Sequence, residues 1–357
     1  MIRICTIVGA RPQFIKAAAI TRAINKRDGW GQFILHTGQH YDNKLSQVFF
    51  DSLDLTEPEY KLDLQQSERK PRFEEMKSEI FRILKNDRPD AVLVYGDTDS
   101  TLAGAEVAHE LGIKVIHIEA GLRSFDLDMP EEINRIVTDE ISDILVAPTK
   151  NAVKNLENEG IYGAFLTGDI MHDNAIYYSH NTGAVMSNSL LMTMHRPSNV
   201  DLPERAAKWI ETIGGWCVSK GMRAEFLVHP RTEKSLKSHY GEDWKNVLNS
   251  FNIEARDPLG YIGLLQLLKE VKLVVSDSGG LQKEAYSLAK PSIVIRHNTE
   301  WVELIEAGHA VLCPEPEDFC RIAELQLNNE IDNSDELYGD GMASEHILDM
   351  LENKLGG

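Results

Sequence analysis

The chain has 357 residues, 42% of them hydrophobic, and a formal net charge of −19 from 37 Lys and Arg against 56 Asp and Glu. That length accommodates two domains burying their own cores, and the acidic balance argues against nucleic acid as a partner. Four cysteines without CxxC spacing exclude a disulfide framework or an ordinary zinc site; with no apolar run of membrane length and no signal-like start, a soluble, cytoplasmic protein without membrane contact is expected.

Continuous Val/Ile/Leu runs without polar alternation mark strands buried on both faces, hence parallel strands covered by helices. Such runs lie at 3–11, 33–39, 91–97, 114–121 and 143–149 in the first half, and at 189–196, 224–231, 272–280 and 291–297 in the second. Longer helical patterns separate them. The expected fold class is α/β, with two Rossmann-like doubly wound domains facing a central cleft. The polar passage within 167–189 reads as the linker, giving domains at 1–168 and 169–337. The tail at 342–355 carries Ile347, Leu348, Leu351 and Leu355 on one helical face, so it should dock.

In such folds ligands bind beyond the carboxyl ends of the strands. GARPQFIK (9–16) is a glycine turn into a helix, where backbone N–H groups, Arg11 and Lys16 either meet an anion or are merely solvated. It lacks the three glycines of a dinucleotide fingerprint, which weighs against a nicotinamide cofactor. YGDTDST (95–101) puts Asp97 and Asp99 at a strand end, one of them serving as a turn former. Glu119 leaves a both-faces-buried strand and must be desolvated, paired or functional. In DMPEEINR (128–135), Pro130 opens a helix, and Glu131 with Arg135 forms an i, i+4 pair. Glu131 near Glu119 would raise its neighbour's pKa toward that of a useful base.

In the second half, His195 and His229 end strands beside arginines, as phosphate or hydroxyl contacts would. SDSGGLQKEA (276–285) is the sharpest signal. Asp277, Ser278, Gly279 and Gly280 come after a strand and open a helix whose N–H groups suit a diphosphate, while Glu284 suits ribose hydroxyls. Arg296 ends the next strand. One half is therefore acidic, and the other offers histidines, arginines and a glycine helix start, a combination suited to a nucleotide-linked substrate.

With GARPQFIK, GDTDST, HIEAGLRS, PEEINR, MHR, DSGGLQKEA, TEWVE and YGDG in order, the chain resembles the non-hydrolysing UDP-N-acetylglucosamine 2-epimerase family over nearly its whole length. The resemblance implies a glycosyltransferase-B-like fold with residues 338–357 forming a helix that packs back on the first domain. It also implies C2 inversion of a UDP-2-acetamido sugar through a glycal, without cofactor or metal, in a homodimer. Carried over by motif, Asp97, Glu119, Glu131, His195 and Lys16 are the expected catalytic residues. Arg11, Arg135, His229, Asp277, Ser278, Gly279, Gly280, Glu284 and Arg296 are the expected substrate contacts. RPQFIK, DLDMPEE and GGLQKEA resemble the branch acting on UDP-2,3-diacetamido-2,3-dideoxy-glucuronate in surface-polysaccharide assembly. TGQHYDNK keeps Gln39 and His40 of a loop that serves a second UDP-GlcNAc in some relatives, but its YDNK departs from theirs. A retaining UDP-sugar glycosyltransferase and a hydrolysing 2-epimerase stand as alternatives.

Overall fold

A computed structural model describes residues 1–39, 53, 55–180, 185–333 and 336–356. The chain divides into two compact units, Met1–Asn174 with Tyr338–Gly357, and Ala175–Leu337. The boundary falls within the helix Ile170–His180. Residues 181–184 of the expected linker, and His40, lie outside the described residues.

In the first unit the strands are β1 (Ile2–Val8), β2 (Trp30–His36), β3 (Tyr60–Lys61), β4 (Ala91–Tyr95), β5 (Lys114–Ile118), β6 (Ile144–Ala147) and β7 (Phe165–Leu166). They form one parallel sheet in the order β3-β2-β1-β4-β5-β6-β7. The second unit repeats the plan with β8 (Ser189–Met194), β9 (Arg223–Val228), β10 (Ile253–Arg256), β11 (Leu273–Ser276), β12 (Ser292–Val294) and β13 (Ala310–Leu312). Their order is β10-β9-β8-β11-β12-β13, again parallel.

Burial explains the all-apolar strands. Every residue of β4 is wholly inaccessible, because helices cover both faces of the sheet. The strand order reverses between β1 and β4 in one unit and between β8 and β11 in the other. Chain leaving neighbouring strands at such a point diverges to opposite faces, opening a crevice at their carboxyl ends. The candidate residues gather at these two points.

The helix Ala343–Leu355 belongs to the first unit, where Ile347, Leu348 and Leu351 are fully buried. Its N-terminal amides are capped from afar: Asp173 accepts from Ala343 N at 3.0 Å and from Ser344 N and Oγ at 2.7 Å each. Arg27 binds Asp349 at 2.6 Å and Glu345 at 3.2 Å. No helix among the described residues is long and apolar enough to cross a membrane.

Candidate active site

In the first unit, β1 turns through Gly9 and Ala10 into the helix Arg11–Ile24. A Cβ on Gly9 would lie 2.1 Å from both Ser100 Oγ and Thr37 Oγ1, so the close packing of this turn demands glycine. Gln13 closes the turn. Its Oε1 accepts from Gly9 N (2.8 Å) and Ala10 N (3.0 Å), and its amide donates to the Tyr95 carbonyl and Thr101 Oγ1 at 3.0 Å each. A buried side chain thus engages two of the loop amides expected to meet an anion. Arg11 is exposed. The same helix brings Lys16, largely buried, into an ion pair with Glu119.

Glu119 leaves β5 with φ of 75°, the left-handed region, at a cost of about 1–3 kcal/mol for a residue with a side chain. Two bonds hold it there: Glu119 N and Ala120 N both donate to the Val146 carbonyl, at 3.1 and 3.0 Å. The Lys16 ammonium lies against its carboxylate.

Asp97 follows β4 across Gly96 (φ 66°), where a Cβ would approach Lys16 Nζ to 3.2 Å. Its carboxylate pairs with Arg135, whose other nitrogen reaches Glu132 at 2.8 Å. The expected Glu131–Arg135 pair is thus replaced: Arg135 bonds across to another strand end, which an exposed helix-surface partner does not offer. Glu131 is exposed and attracts Arg69 electrostatically. Asn134 donates to the Asp97 carbonyl (2.9 Å) and to Asp99 Oδ1 (3.1 Å), and Arg69 binds Asp99 at 2.6 Å. Burial pushes the Asp99 carboxyl up, but Arg69 and Asn134 outweigh it and hold it below the usual range.

Several supporting groups escape sequence reading. Glu132 is buried and accepts from Ser124 N and Oγ (2.9 Å each) and Phe125 N (3.1 Å), pinning the loop before its own helix. The paired acids of PEEINR are visible in the sequence, but only burial distinguishes them. His117, Asp139 and Arg123 form a buried cluster beneath the acid-bearing turns. Gln39, from the loop tied to a second nucleotide in some relatives, accepts from Ser100 Oγ at 2.6 Å and Ser100 N at 3.1 Å.

In the second unit, His195 and Arg196 leave β8 beside the end of β11. Asp277 is fully buried and accepts from His195 N at 3.0 Å, Arg196 N at 2.8 Å and Asn199 Nδ2 at 3.0 Å, with His195 Nδ1 also at 3.0 Å. Burial raises its pKa, but the His195 ring and these donors prevail, so the carboxyl lies below its ordinary value. It has no accessible surface, and its bonds hold the backbone of His195 and Arg196 in place.

The His195 and His229 rings lie 5.6 Å apart. His229 starts the helix Pro230–Tyr240, its Nδ1 accepting from Arg231 N at 3.2 Å, and burial followed by the charge of His195 lowers its pKa. Gly279 and Gly280 open the helix Gly279–Ser287. A Cβ on either would find nothing nearer than 3.6 Å, and neither has a positive φ, so this protein's own packing does not demand the pair. Glu284 is buried beside Gly280. Arg296 forms a two-pronged pair with Glu300 (2.8 and 2.9 Å), to which Arg196 also extends at 3.5 Å. Lys283 lies 4.1 Å over the Trp301 ring.

Residues 22–352 match the family model described as UDP-N-acetylglucosamine 2-epimerase. The UDP-2,3-diacetamido-2,3-dideoxy-D-glucuronate 2-epimerase of Pseudomonas aeruginosa is 38% identical over 98% of this chain and 99% of its own. The UDP-N-acetylglucosamine 2-epimerase of Methanocaldococcus jannaschii is 37% identical over 98% of both chains. The crystal structure of the Methanocaldococcus jannaschii enzyme with UDP-GlcNAc and UDP superposes with a TM-score of 0.85 at 36% identity, covering 99% of this chain and 100% of that one. The two doubly wound domains are thus of the glycosyltransferase-B-like kind, and the chain belongs to the UDP-N-acetylglucosamine 2-epimerase family.

Proposed function

We propose that this isomerase inverts C2 of a UDP-2-acetamido sugar, either UDP-GlcNAc to UDP-ManNAc or UDP-2,3-diacetamido-2,3-dideoxy-glucuronate to its manno epimer, by eliminating and re-adding UDP. The observation that carries the reading is the placement of two carboxylates, Asp97 and Glu119, at the carboxyl ends of adjacent strands, each paired with a cation from a different helix. One carboxylate takes the C2 proton; the C2–H electron pair forms the C1–C2 double bond as the C1–O bond breaks and UDP departs. UDP then adds back to C1 of the glycal, and a proton returns to C2 from the opposite face.

Departure of UDP develops negative charge on the β-phosphate, which donors held in place stabilise by several kcal/mol. The helix start at Ser278–Gly280, His195 and the arginines around Glu300 supply donors of that kind. The reading takes the diphosphate and uridine to these groups. A homodimer working in the cytoplasm, on the way to a surface polysaccharide, completes it.

The test is proton NMR of the protein in D2O with each UDP-sugar in turn. Deuterium entering C2 together with a UDP-linked epimer is the expected result, and the productive substrate identifies the sugar. Accumulation of UDP and free sugar favours hydrolysis instead. No exchange with either substrate returns the glycosyltransferase reading.

A further inference from the structure

His117, two residues before Glu119, is fully buried in β5, a position where a hydrophobic residue is the ordinary choice. Both ring nitrogens face acceptors. Nδ1 lies 2.7 Å from Asp139 Oδ1, and Nε2 lies 2.8 Å from the Gly96 carbonyl. A carbonyl oxygen only accepts, so Nε2 must carry hydrogen. Asp139 is ionised: its Oδ2 accepts from Gly121 N at 3.1 Å and lies 2.7 Å from Arg123 Nη1. Burial raises its pKa, but His117 and then Arg123 outweigh that and hold the carboxyl below its ordinary range. The ring therefore bridges the Gly96 carbonyl and the Asp139 carboxylate.

We propose that His117 positions the two acid-bearing turns of the active site relative to one another. Through Nε2 it grips Gly96, the residue before Asp97. Through Nδ1 and Asp139 it holds Gly121, two residues past Glu119. Other charges facing the cluster are Arg123, on the loop after β5, and Glu159, bound to Arg123 at 2.6 Å. Without the ring, the turn at Gly96 and the Asp139 carboxylate that holds Gly121 would lose their common anchor. Sequence alone shows none of this, because a lone histidine in a strand is most often a satisfied core residue.

His117 touches no substrate in this arrangement; it acts through Asp97 and Glu119, and the proposal rests on the reading that those residues transfer protons. Two measurements test it separately. In wild-type protein labelled with nitrogen-15 histidine, the ring assigned by its loss in His117→Gln is expected to show an N–H proton protected from solvent exchange, as a group bonded in the interior is. A ring whose N–H exchanges as fast as that of a solvent-facing histidine overturns the proposal whatever the enzyme's substrate proves to be. His117→Gln, which offers an amide N–H toward one acceptor only, is expected to lower kcat for C2 exchange about 10- to 100-fold while KM stays within about threefold, the split of misplaced reacting groups. If His117→Gln retains wild-type kcat, or loses kcat and UDP affinity together with its fold, the positioning role is overturned. If wild-type protein exchanges no C2 proton on any UDP-sugar while its ring N–H stays protected, the functional reading fails and the anchoring by His117 stands.

Discussion

The carboxylates at the two switch points are held in opposite ways. In the first unit, Asp97 and Glu119 keep side-chain accessibilities of 30% and 13% and pair with Arg135 and Lys16. In the second, the Asp277 side chain is at 0% and turned inward onto backbone amides. Carboxylates at the ends of parallel strands are therefore held in two ways. An acid meant to exchange protons with a substrate must be reachable and charged. An acid meant to shape a binding surface is better sealed, where each hydrogen bond is stronger and rigidly directed. The glycines divide likewise, Gly9 being required by its neighbours and Gly280 by none of them.

The first way to break this comparison is Glu119→Gln, which preserves shape and removes the charge. It is expected to lower kcat about 10²- to 10⁴-fold while the UDP dissociation constant, by calorimetry, stays within about threefold. Retained turnover would move proton transfer to another residue. A weaker pair of effects separates the two glycine types. Gly9→Ala overlaps Ser100 and Thr37 and should cost about 1–3 kcal/mol of stability, read by denaturant unfolding. Gly280→Ala should leave stability within about 0.5 kcal/mol and weaken UDP binding about tenfold or more. Equal loss of stability in both would erase the distinction.

The smallest effect near neutral pH is electrostatic. Asp99, Glu132 and Asp139 in one unit and Asp277 and Glu300 in the other have folded pKa values below the ordinary range: burial pushes each up, and donors or cations prevail. A depressed folded pKa gives stability that is complete above the unfolded value and is lost as pH falls through the folded one. Asp173 opposes them. Burial raises its pKa despite its capping bonds, so its contribution is present at low pH and lost on the way up. The five outweigh the one: thermal unfolding should change little from about pH 6 to about pH 8 and decline below about pH 4, the unfolded carboxylate range. A melting temperature that rises on acidification would contradict the ionised state of this network.

How much of this was legible can be read from particular elements. The interior strands announce themselves as apolar runs because they are covered on both faces. The four strands without such runs, β3, β7, β10 and β13, are the four sheet edges. With fewer neighbours they extend to only two, two, four and three residues and carry mixed composition such as IEAR. Glu119 stood out as an acid leaving a buried strand, and SGG as glycines opening a helix. Glu132, Asn134, Asp139 and His117 did not, since their importance lies in partners up to 65 positions away, as Arg69 lies from Asn134.

By itself, the amino-acid order determined the α/β class, the interior strands, the polar groups at their carboxyl ends and the family motifs. These arise from local periodicity and from residue types with few bland explanations. Tertiary structure decided which charge meets which: Lys16 with Glu119, Arg135 with Asp97, and Asp277 with the amides of His195 and Arg196. Such pairings depend on strand order and on burial, which set distance and dielectric together, and neither is written in the spacing along the chain.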